Sequence, residues 1–269
     1  MQKPKRIIVS VINDLSTDQR VHKVCGSLQK KGFAVLLVGR RLPGSMPIDR
    51  SYSCRRFRLW FNKGPLFYAN YNVRLFFFLL FAKGDVFYSN DLDTLPANFL
   101  ASRLRKKALV YDSHEFFTQV PELINRPRVQ KVWQNIEELL LPKVKYSLTV
   151  SAKIQEQYNY MYAMDMQLLR NFPLLKPLGS QKEKKDKIVL YQGALNVSRG
   201  IEELIDAMEH IEDTQLWIAG GGDIEDELKS RVAEKGLHNQ VRFWGRLPLE
   251  ELHELTQKAS VVTSIEKGD

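Results

Sequence analysis

The sequence predicts an α/β protein made of two Rossmann-like, doubly wound domains with parallel sheets. Three observations predict it. Short apolar strands alternate with helix-length segments along the chain, polar or glycine-rich turns follow the strands, and a charged stretch at 181–187 divides the chain. Strands separated by helices are joined by crossovers and form parallel sheets. The 269 residues, 44% of them hydrophobic, suffice for two such domains.

The first predicted domain, residues 1–180, repeats the strand–helix unit. Its strands are predicted at 7–12, 34–39, 86–89, 109–111 and 147–150. Its helices are predicted at 18–31, 71–83, 96–106, 129–140 and 151–160. Gly32 ends the first helix, Pro142 stops the fourth and Ser151 caps the fifth. Residues 181–187 have nothing to bury and are predicted to be a linker.

The second predicted domain, residues 188–269, continues the same alternation. Strands are predicted at 188–192, 216–219, 241–245 and 261–264, and helices at 201–208, 224–235 and 248–259. The last strand looks buried, yet no helix follows it. We therefore expect an incomplete, C-terminally truncated domain, and a chain that alone is poorly active.

Composition favours a cytoplasmic protein with an anionic partner. The net charge is +9, from 40 Lys+Arg against 31 Asp+Glu, which favours a phosphorylated substrate or an anionic lipid surface. Two cysteines, Cys25 and Cys54, cannot build a disulfide framework. No signal-peptide core precedes the first strand, the longest apolar run (75–82) is too short to span a bilayer, and no nucleic-acid module is present.

Two glycine turns of the second domain are candidates for binding a nucleoside diphosphate. The first contains Gly193, Arg199 and Gly200 between strand and helix, and the second is Gly220, Gly221 and Gly222. Unpaired backbone N–H groups and a nearby cation suit the negative charge that grows on a leaving diphosphate. The alternative interpretations are a solvated arginine at a helix start and a tight turn.

The candidate site of the first domain lies at the carboxyl ends of its strands, where open α/β sheets bind ligands. His114 is the candidate catalytic residue, with a role in positioning and charge stabilisation, and the alternative is a structural histidine with its hydrogen bonds satisfied. Acceptor-side candidates surround three strand ends: Asn13, Asp18, Arg20, Asp91, Asp112 and Glu115. For Asp18 and Arg20 the alternative is a helix cap with an exposed arginine.

Two further groups of residues receive structural interpretations. Asp91 and Asp93 form an Asp-x-Asp pair, but a metal needs converging carboxylates. Asp91 is therefore expected to line the cleft, Asp93 to cap a helix, and the protein to use no metal or other cofactor. The remaining histidines, His22, His210, His238 and His253, are expected to be surface residues.

The chain resembles the GT-B glycosyltransferases, and among them the retaining family called group 1, or family 4. The resemblance is strongest at 191–195, 199–208 and 218–222, with weaker matches at 241–245, 251–252 and 259–261. Residues 18–21 and 111–115 look like the acceptor-side signatures of that family. The resemblance implies that Arg199 binds the donor diphosphate and that Glu266 matches the first acid of a donor-binding glutamate pair. Ala194 stands where family members often carry a second arginine.

We therefore expect a glycosyltransferase of the hexosyltransferase type. It would move a sugar from a nucleotide-sugar donor to a glycan or lipid-linked acceptor in bacterial surface polysaccharide or cell envelope synthesis, with retention of configuration. The alternatives are a GT-B-like sugar-nucleotide epimerase and a non-catalytic sugar-nucleotide-binding protein. An anionic membrane surface on the inner face of the cell membrane is a further candidate partner. Arg55, Arg56, Arg58 and Lys63 would attract it, and Trp60 and Phe61 would insert, unless this segment and the helix at 71–83 belong to the core.

Overall fold

The computed structural model describes residues 3–16, 18–120, 123, 126–172 and 187–265. By their contacts the residues divide into two compact units, Met1–Leu174 and Leu175–Asp269. The linker predicted at 181–187 lies outside the described residues, except for Lys187.

The first unit contains a parallel seven-stranded sheet with the order β3-β2-β1-β4-β5-β6-β7. The strands are β1 (Arg6–Asp14), β2 (Ala34–Arg40), β3 (Ser53–Phe57), β4 (Val86–Asn90), β5 (Ala108–Ser113), β6 (Tyr146–Thr149) and β7 (Gln167–Leu168). The helices are α1 (Gln19–Lys30), α2 (Gly64–Phe81), α3 (Asp91–Arg105), α4 (Pro127–Leu140) and α5 (Ala152–Tyr162).

The second unit contains a parallel four-stranded sheet with the order β10-β9-β8-β11. Its strands are β8 (Ile188–Gln192), β9 (Gln215–Ala219), β10 (Val241–Gly245) and β11 (Val261–Thr263). Its helices are α6 (Ile201–Ala207), α7 (Glu225–Glu234) and α8 (Leu249–Lys258). The predicted α/β class with two parallel, doubly wound sheets is confirmed.

Both faces of the first sheet are buried, as a parallel sheet with crossover helices requires. Along β1, Ile8 belongs to one hydrophobic cluster and Ile7 to another, because successive side chains of a strand point to opposite faces. Helix α2 covers the first face with Tyr71, Leu75 and Leu79, and α1 covers the second face. These two layers hold the strand ends in register.

The structure adds two strands to the first unit, β3 and the two-residue β7 that pairs with β6, and lengthens two helices relative to the sequence predictions. Residues of β3 pair in parallel with β2, where no strand was predicted. Helix α2 begins at Gly64 instead of residue 71, and α3 begins at Asp91 instead of residue 96. Pro96 therefore lies inside α3, and the expectation that Asp93 caps this helix is wrong, since Asn90 is its N-cap.

The side chain of Asn72 explains how α3 accommodates Pro96. Its amide nitrogen donates to the Asp93 carbonyl oxygen at 2.7 Å, and its oxygen accepts from the Ala97 N–H at 3.2 Å. In an undisturbed helix that N–H and that carbonyl would bond to each other. Asn72 of α2 thus replaces one helical hydrogen bond and joins α2 to the first turns of α3.

A buried carboxylate connects the segment after β5 to α4 and α5. Glu137 of α4 is fully buried and accepts hydrogen bonds from three hydroxyl groups, those of Thr118 at 3.2 Å, Tyr158 at 2.8 Å and Tyr162 at 3.0 Å. Burial raises its pKa, although the three hydrogen bonds oppose the shift.

The stability of the first unit should therefore depend on the charge of Glu137. A carboxyl group whose pKa is raised by folding contributes stability below its unfolded pKa, and that contribution is lost as the pH rises through the folded pKa. Relative to Glu137→Gln, the free energy of unfolding of the wild type should fall as the pH rises from 4.5 toward neutrality. Urea denaturation at several pH values measures this. Glu156→Gln, at an exposed glutamate of α5, should follow the wild type, and parallel curves for wild type and Glu137→Gln would contradict the assignment.

Among the described residues, none of the helices combines the length and the apolar character that a bilayer crossing needs.

Candidate functional site

The carboxyl ends of β4 and β5 bring the predicted site residues of the first unit together. The two strands pair in parallel, with Asn90 opposite Asp112. Asp91 follows directly and has a left-handed backbone conformation, with φ of +56°, which is uncommon for a residue other than glycine. Its Oδ1 accepts the backbone N–H of His114 at 2.8 Å. The ends of the two strands are thereby held by a side chain as well as by the sheet.

The imidazole of His114 lies between two aspartates. Its Nδ1 is 3.3 Å from Asp91 Oδ2, and its Nε2 is 3.5 Å from Asp112 Oδ2. Burial alone would lower the pKa of His114, but the contact with Asp112 and the charge of Asp91 outweigh it and raise the pKa. The imidazole is therefore biased toward its cationic form.

Asp112 is the buried anchor of this cluster. Its side chain is fully buried, and it accepts hydrogen bonds from Arg20 Nη2 at 2.8 Å and from the Tyr88 hydroxyl at 2.7 Å. Burial would raise its pKa, but His114, Arg20 and Tyr88 together lower it. Asp112 is thus held as a carboxylate, and it orients His114.

The structure separates the two interpretations of Asp18 and Arg20. Asp18 is the N-cap of α1 and accepts the Val21 N–H at 3.0 Å, as the cap interpretation predicts. Arg20 is not exposed; it is buried against Asp112 and also donates to the Leu169 carbonyl at 3.3 Å. Asn13 and Glu115 are exposed at the same edge of the sheet.

Sequence reasoning did not identify Tyr88, Asn90 or Asp14 as parts of this edge. Tyr88 holds Asp112, and Asn90 donates to the Ser10 carbonyl at 2.8 Å. For Tyr88 and Asn90, the sequence feature that could have identified them is their position toward the end of β4.

His22, expected at the surface, is partly buried and its Nδ1 lies 2.8 Å from the Tyr52 hydroxyl. No group of three or more His, Cys, Asp or Glu side chains within the described ranges could hold a metal ion.

The pKa of His114 should respond to Asp91. An NMR titration of the imidazole should give a pKa above 6.5, and Asp91→Asn should lower it because a neighbouring negative charge is removed while asparagine tolerates the positive φ. Asp165→Asn, at an exposed aspartate of the same unit, is the charge-matched control and should leave the titration unchanged. An equal His114 pKa in wild type and Asp91→Asn would contradict this geometry.

In the second unit the two predicted glycine turns pack directly on each other. The Gly193 N–H donates to the Ala219 carbonyl at 3.0 Å, and the Leu195 N–H donates to the Gly221 carbonyl at 3.3 Å. A Cβ at Gly220 would collide with the Gly193 carbonyl oxygen, and one at Gly222 with that of Leu195. Gly220 and Gly222 are therefore required for the packing of the turns.

The other predicted residues of the turns include Gly221, which lies beside a charged side chain, and Gly200, which lies at the start of α6. A Cβ at Gly221 would lie 2.9 Å from Arg246 Nε, a residue that sequence reasoning did not select. Arg199 is exposed. Gly200 is the N-cap of α6 with φ of +65°. Glu266 lies outside the described residues.

The comparison with known families concerns the second unit above all. Residues 177–265 match the family model of glycosyl transferases group 1. The lipopolysaccharide core biosynthesis glycosyltransferase LpsD of Rhizobium meliloti is 28% identical over 156 residues, which are 56% of this chain and 43% of LpsD. The chain spans less than half the length of the curated relatives it matches.

Solved structures share the fold of the whole chain. Sucrose-phosphate synthase from Thermosynechococcus elongatus matches with a TM-score of 0.70 and 19% identity, over 98% of this chain and 77% of that one. Anabaena HepE in complex with UDP and glucose matches with a TM-score of 0.66 and 15% identity, over 97% of this chain and 74% of that one. At these identities the likeness shows the fold alone. The resemblance to group 1 glycosyltransferases with the GT-B fold is confirmed, and the sequence match that confirms it lies in the second unit.

Proposed function

Starting from this group 1 glycosyltransferase match, we propose that the protein transfers a sugar from a nucleotide-sugar donor to a glycan or lipid-linked acceptor, with retention of configuration, in bacterial surface polysaccharide or cell envelope synthesis. The observation that carries the proposal lies within the matched region, where Gly221 of the second glycine turn packs beside the Arg246 side chain. LpsD, named for lipopolysaccharide core biosynthesis, and HepE, solved with UDP and glucose, support the acceptor class and the donor class respectively.

The second unit would bind the diphosphate of the donor. Because Gly193 and Gly221 carry no side chains, a phosphate can approach the backbone of both turns. Arg199 supplies one cation, and Arg246 beside Gly221 is placed to supply the charge that Ala194 does not. Two arginines can stabilise a leaving diphosphate without a metal ion, so the proposed reaction is metal-independent.

The first unit would position the acceptor and stabilise charge through His114. The raised pKa of His114 favours a cationic imidazole at the carboxyl edge of the sheet. Asp112 and Arg20 are buried, so we assign them to orienting His114 instead of direct contact with the acceptor. Asp91 and the exposed Asn13 and Glu115 remain the groups available to acceptor hydroxyls.

Arg199 provides the direct test of the donor site. A charge-assisted hydrogen bond contributes about 1.5–3 kcal/mol, and each 1.4 kcal/mol corresponds to about tenfold in Kd. Arg199→Gln should therefore weaken UDP binding about tenfold or more in calorimetric titrations, and a chelator should have no effect. Lys258→Gln removes an exposed charge on α8 and should leave UDP affinity unchanged. Equal UDP affinities for Arg199→Gln and wild type would refute this assignment.

An exposed surface of the first unit is suited to an anionic membrane. We call it the aromatic–basic face. Its exposed apolar side chains are Trp60 (77%), Phe61 (45%), Leu66 (58%), Val73 (55%), Phe77 (56%) and Phe81 (83%). The Arg74 guanidinium lies 4.6 Å from the Trp60 ring centroid, and that of Arg55 lies 5.2 Å from the Phe78 centroid. Arg56, expected to contribute, instead donates to the Met46 carbonyl at 3.0 Å.

We expect this face to bind phosphatidylglycerol vesicles, since cations attract the surface and aromatic side chains enter the interface. Trp60→Ala with Phe81→Ala should reduce the bound fraction in vesicle sedimentation at least tenfold. The control Tyr160→Ala with Phe172→Ala removes two aromatic side chains elsewhere on the same unit, whose exposure (90% and 69%) is comparable to that of Trp60 and Phe81. This control should retain binding. Similar losses in both double variants would exclude the aromatic–basic face as the specific contact.

A further inference from the structure

A cavity of about 320 Å³ lies at the carboxyl ends of β2 and β3. It is lined by Arg41, Leu42, Pro43, Arg58, Leu59 and Asn62. Arg41 and Arg58 follow the last residues of the two strands, and the Arg41 N–H donates to the Phe57 carbonyl at 2.8 Å. The parallel pairing of β2 with β3 therefore brings the two arginines to one opening.

Both arginines are available to an anion. Arg41 and Arg58 are both exposed. Within the described ranges, no ion pair joins either guanidinium to a carboxylate. The lining residues include no acidic side chain. The planar guanidinium offers paired N–H donors that match phosphate oxygens, so a cavity with two of them favours a phosphate group over a neutral sugar.

Hydrogen bonds fix the loop that forms one wall of the cavity. Ser45 accepts the Leu42 N–H at 2.7 Å and donates to Asp14 Oδ2. Arg56 donates to the Met46 carbonyl at 3.0 Å. Asp14 is buried at the end of β1, so this wall is anchored to an interior strand of the sheet. An anchored wall lowers the cost of ordering the site when a ligand binds.

The cavity adjoins both the aromatic–basic face and the edge that carries His114. Arg74 donates to the Arg58 carbonyl at 2.7 Å while its guanidinium stacks on Trp60. Strand β2 is separated from β5, which precedes His114, by three strand spacings, roughly 14 Å. A single acceptor that reaches both the two arginines and His114 therefore has to be an extended molecule.

We propose that this cavity binds the phosphate group of a phosphate-bearing acceptor, whose lipid part contacts the aromatic–basic face. The identification of the ligand as an acceptor rests on the proposed function. The phosphate site itself is inferred from the two arginines and the cavity. Two soluble probes distinguish the sources of phosphate. Inorganic pyrophosphate carries the anion alone, and geranyl diphosphate carries the anion on an apolar chain.

The test is calorimetric titration of the full chain with each probe. Arg199→Gln serves as the background, which weakens the donor site of the second unit. Adding Arg41→Gln and Arg58→Gln to this background should weaken binding of pyrophosphate at least tenfold. Adding Lys30→Gln and Lys31→Gln, which removes two exposed cations at the end of α1, should have no comparable effect. Circular dichroism checks that each variant is folded, and single substitutions of Arg41 and Arg58 replace the pair if the double variant is not.

Each outcome decides a separate point. Tighter binding of geranyl diphosphate than of pyrophosphate, lost in the arginine variant, supports a lipid-linked acceptor. Equal binding of the two probes supports the phosphate site but overturns the lipid part. Unchanged binding of both probes in the arginine variant overturns the site. If the site binds phosphate while no nucleotide sugar binds the wild-type chain, the proposed function fails and the phosphate site remains.

Discussion

The buried carboxylate of Asp112 is the interaction on which the site of the first unit depends. An unpaired charge at this depth would cost several kcal/mol, and the fold compensates it with donors from separate elements. Arg20 of α1 and Tyr88 of β4 donate hydrogen bonds to it, and the imidazole of His114, in the turn after β5, lies 3.5 Å away. The requirement to satisfy one carboxylate therefore fixes the orientation of His114. The proposed catalytic histidine is thus positioned by the same contacts that pack a helix against the sheet.

The alternation of strands and helices was predictable because it follows from hydrophobic pattern and glycine turns. The elements that were missed lack those signals. Strand β3 contains two arginines and pairs only with β2 at the edge of the sheet, so it has no buried periodicity. The start of α3 was hidden because Asp91 has a positive φ and Pro96 lies inside the helix. Asn72, distant in sequence, makes that start possible.

The meeting of polar residues at the strand ends was predictable, but the contacts that each of them makes were not. Placement after a parallel strand selected Asp91 and Asp112, and for His114 the family resemblance was used as well. The burial of Arg20 depends on a partner 92 residues away, which no local pattern contains. For the glycine turns, Gly220 and Gly222 are explained by contacts between backbones, so the simpler turn interpretation accounts for them. The contact between Gly221 and Arg246 became visible only in the structure.

The most direct measurement for the proposed transfer is release of nucleoside diphosphate from a panel of nucleotide sugars, compared between the wild type and His114→Ala. Slow hydrolytic release suffices, because it reports cleavage of the donor bond without requiring the natural acceptor. The account predicts release from at least one donor, reduced tenfold or more in His114→Ala, a loss of at least about 1.4 kcal/mol in transition-state stabilisation. Release that is equal in the two proteins would contradict the role of His114. The absence of both release and binding for every donor would contradict the proposed glycosyl transfer itself.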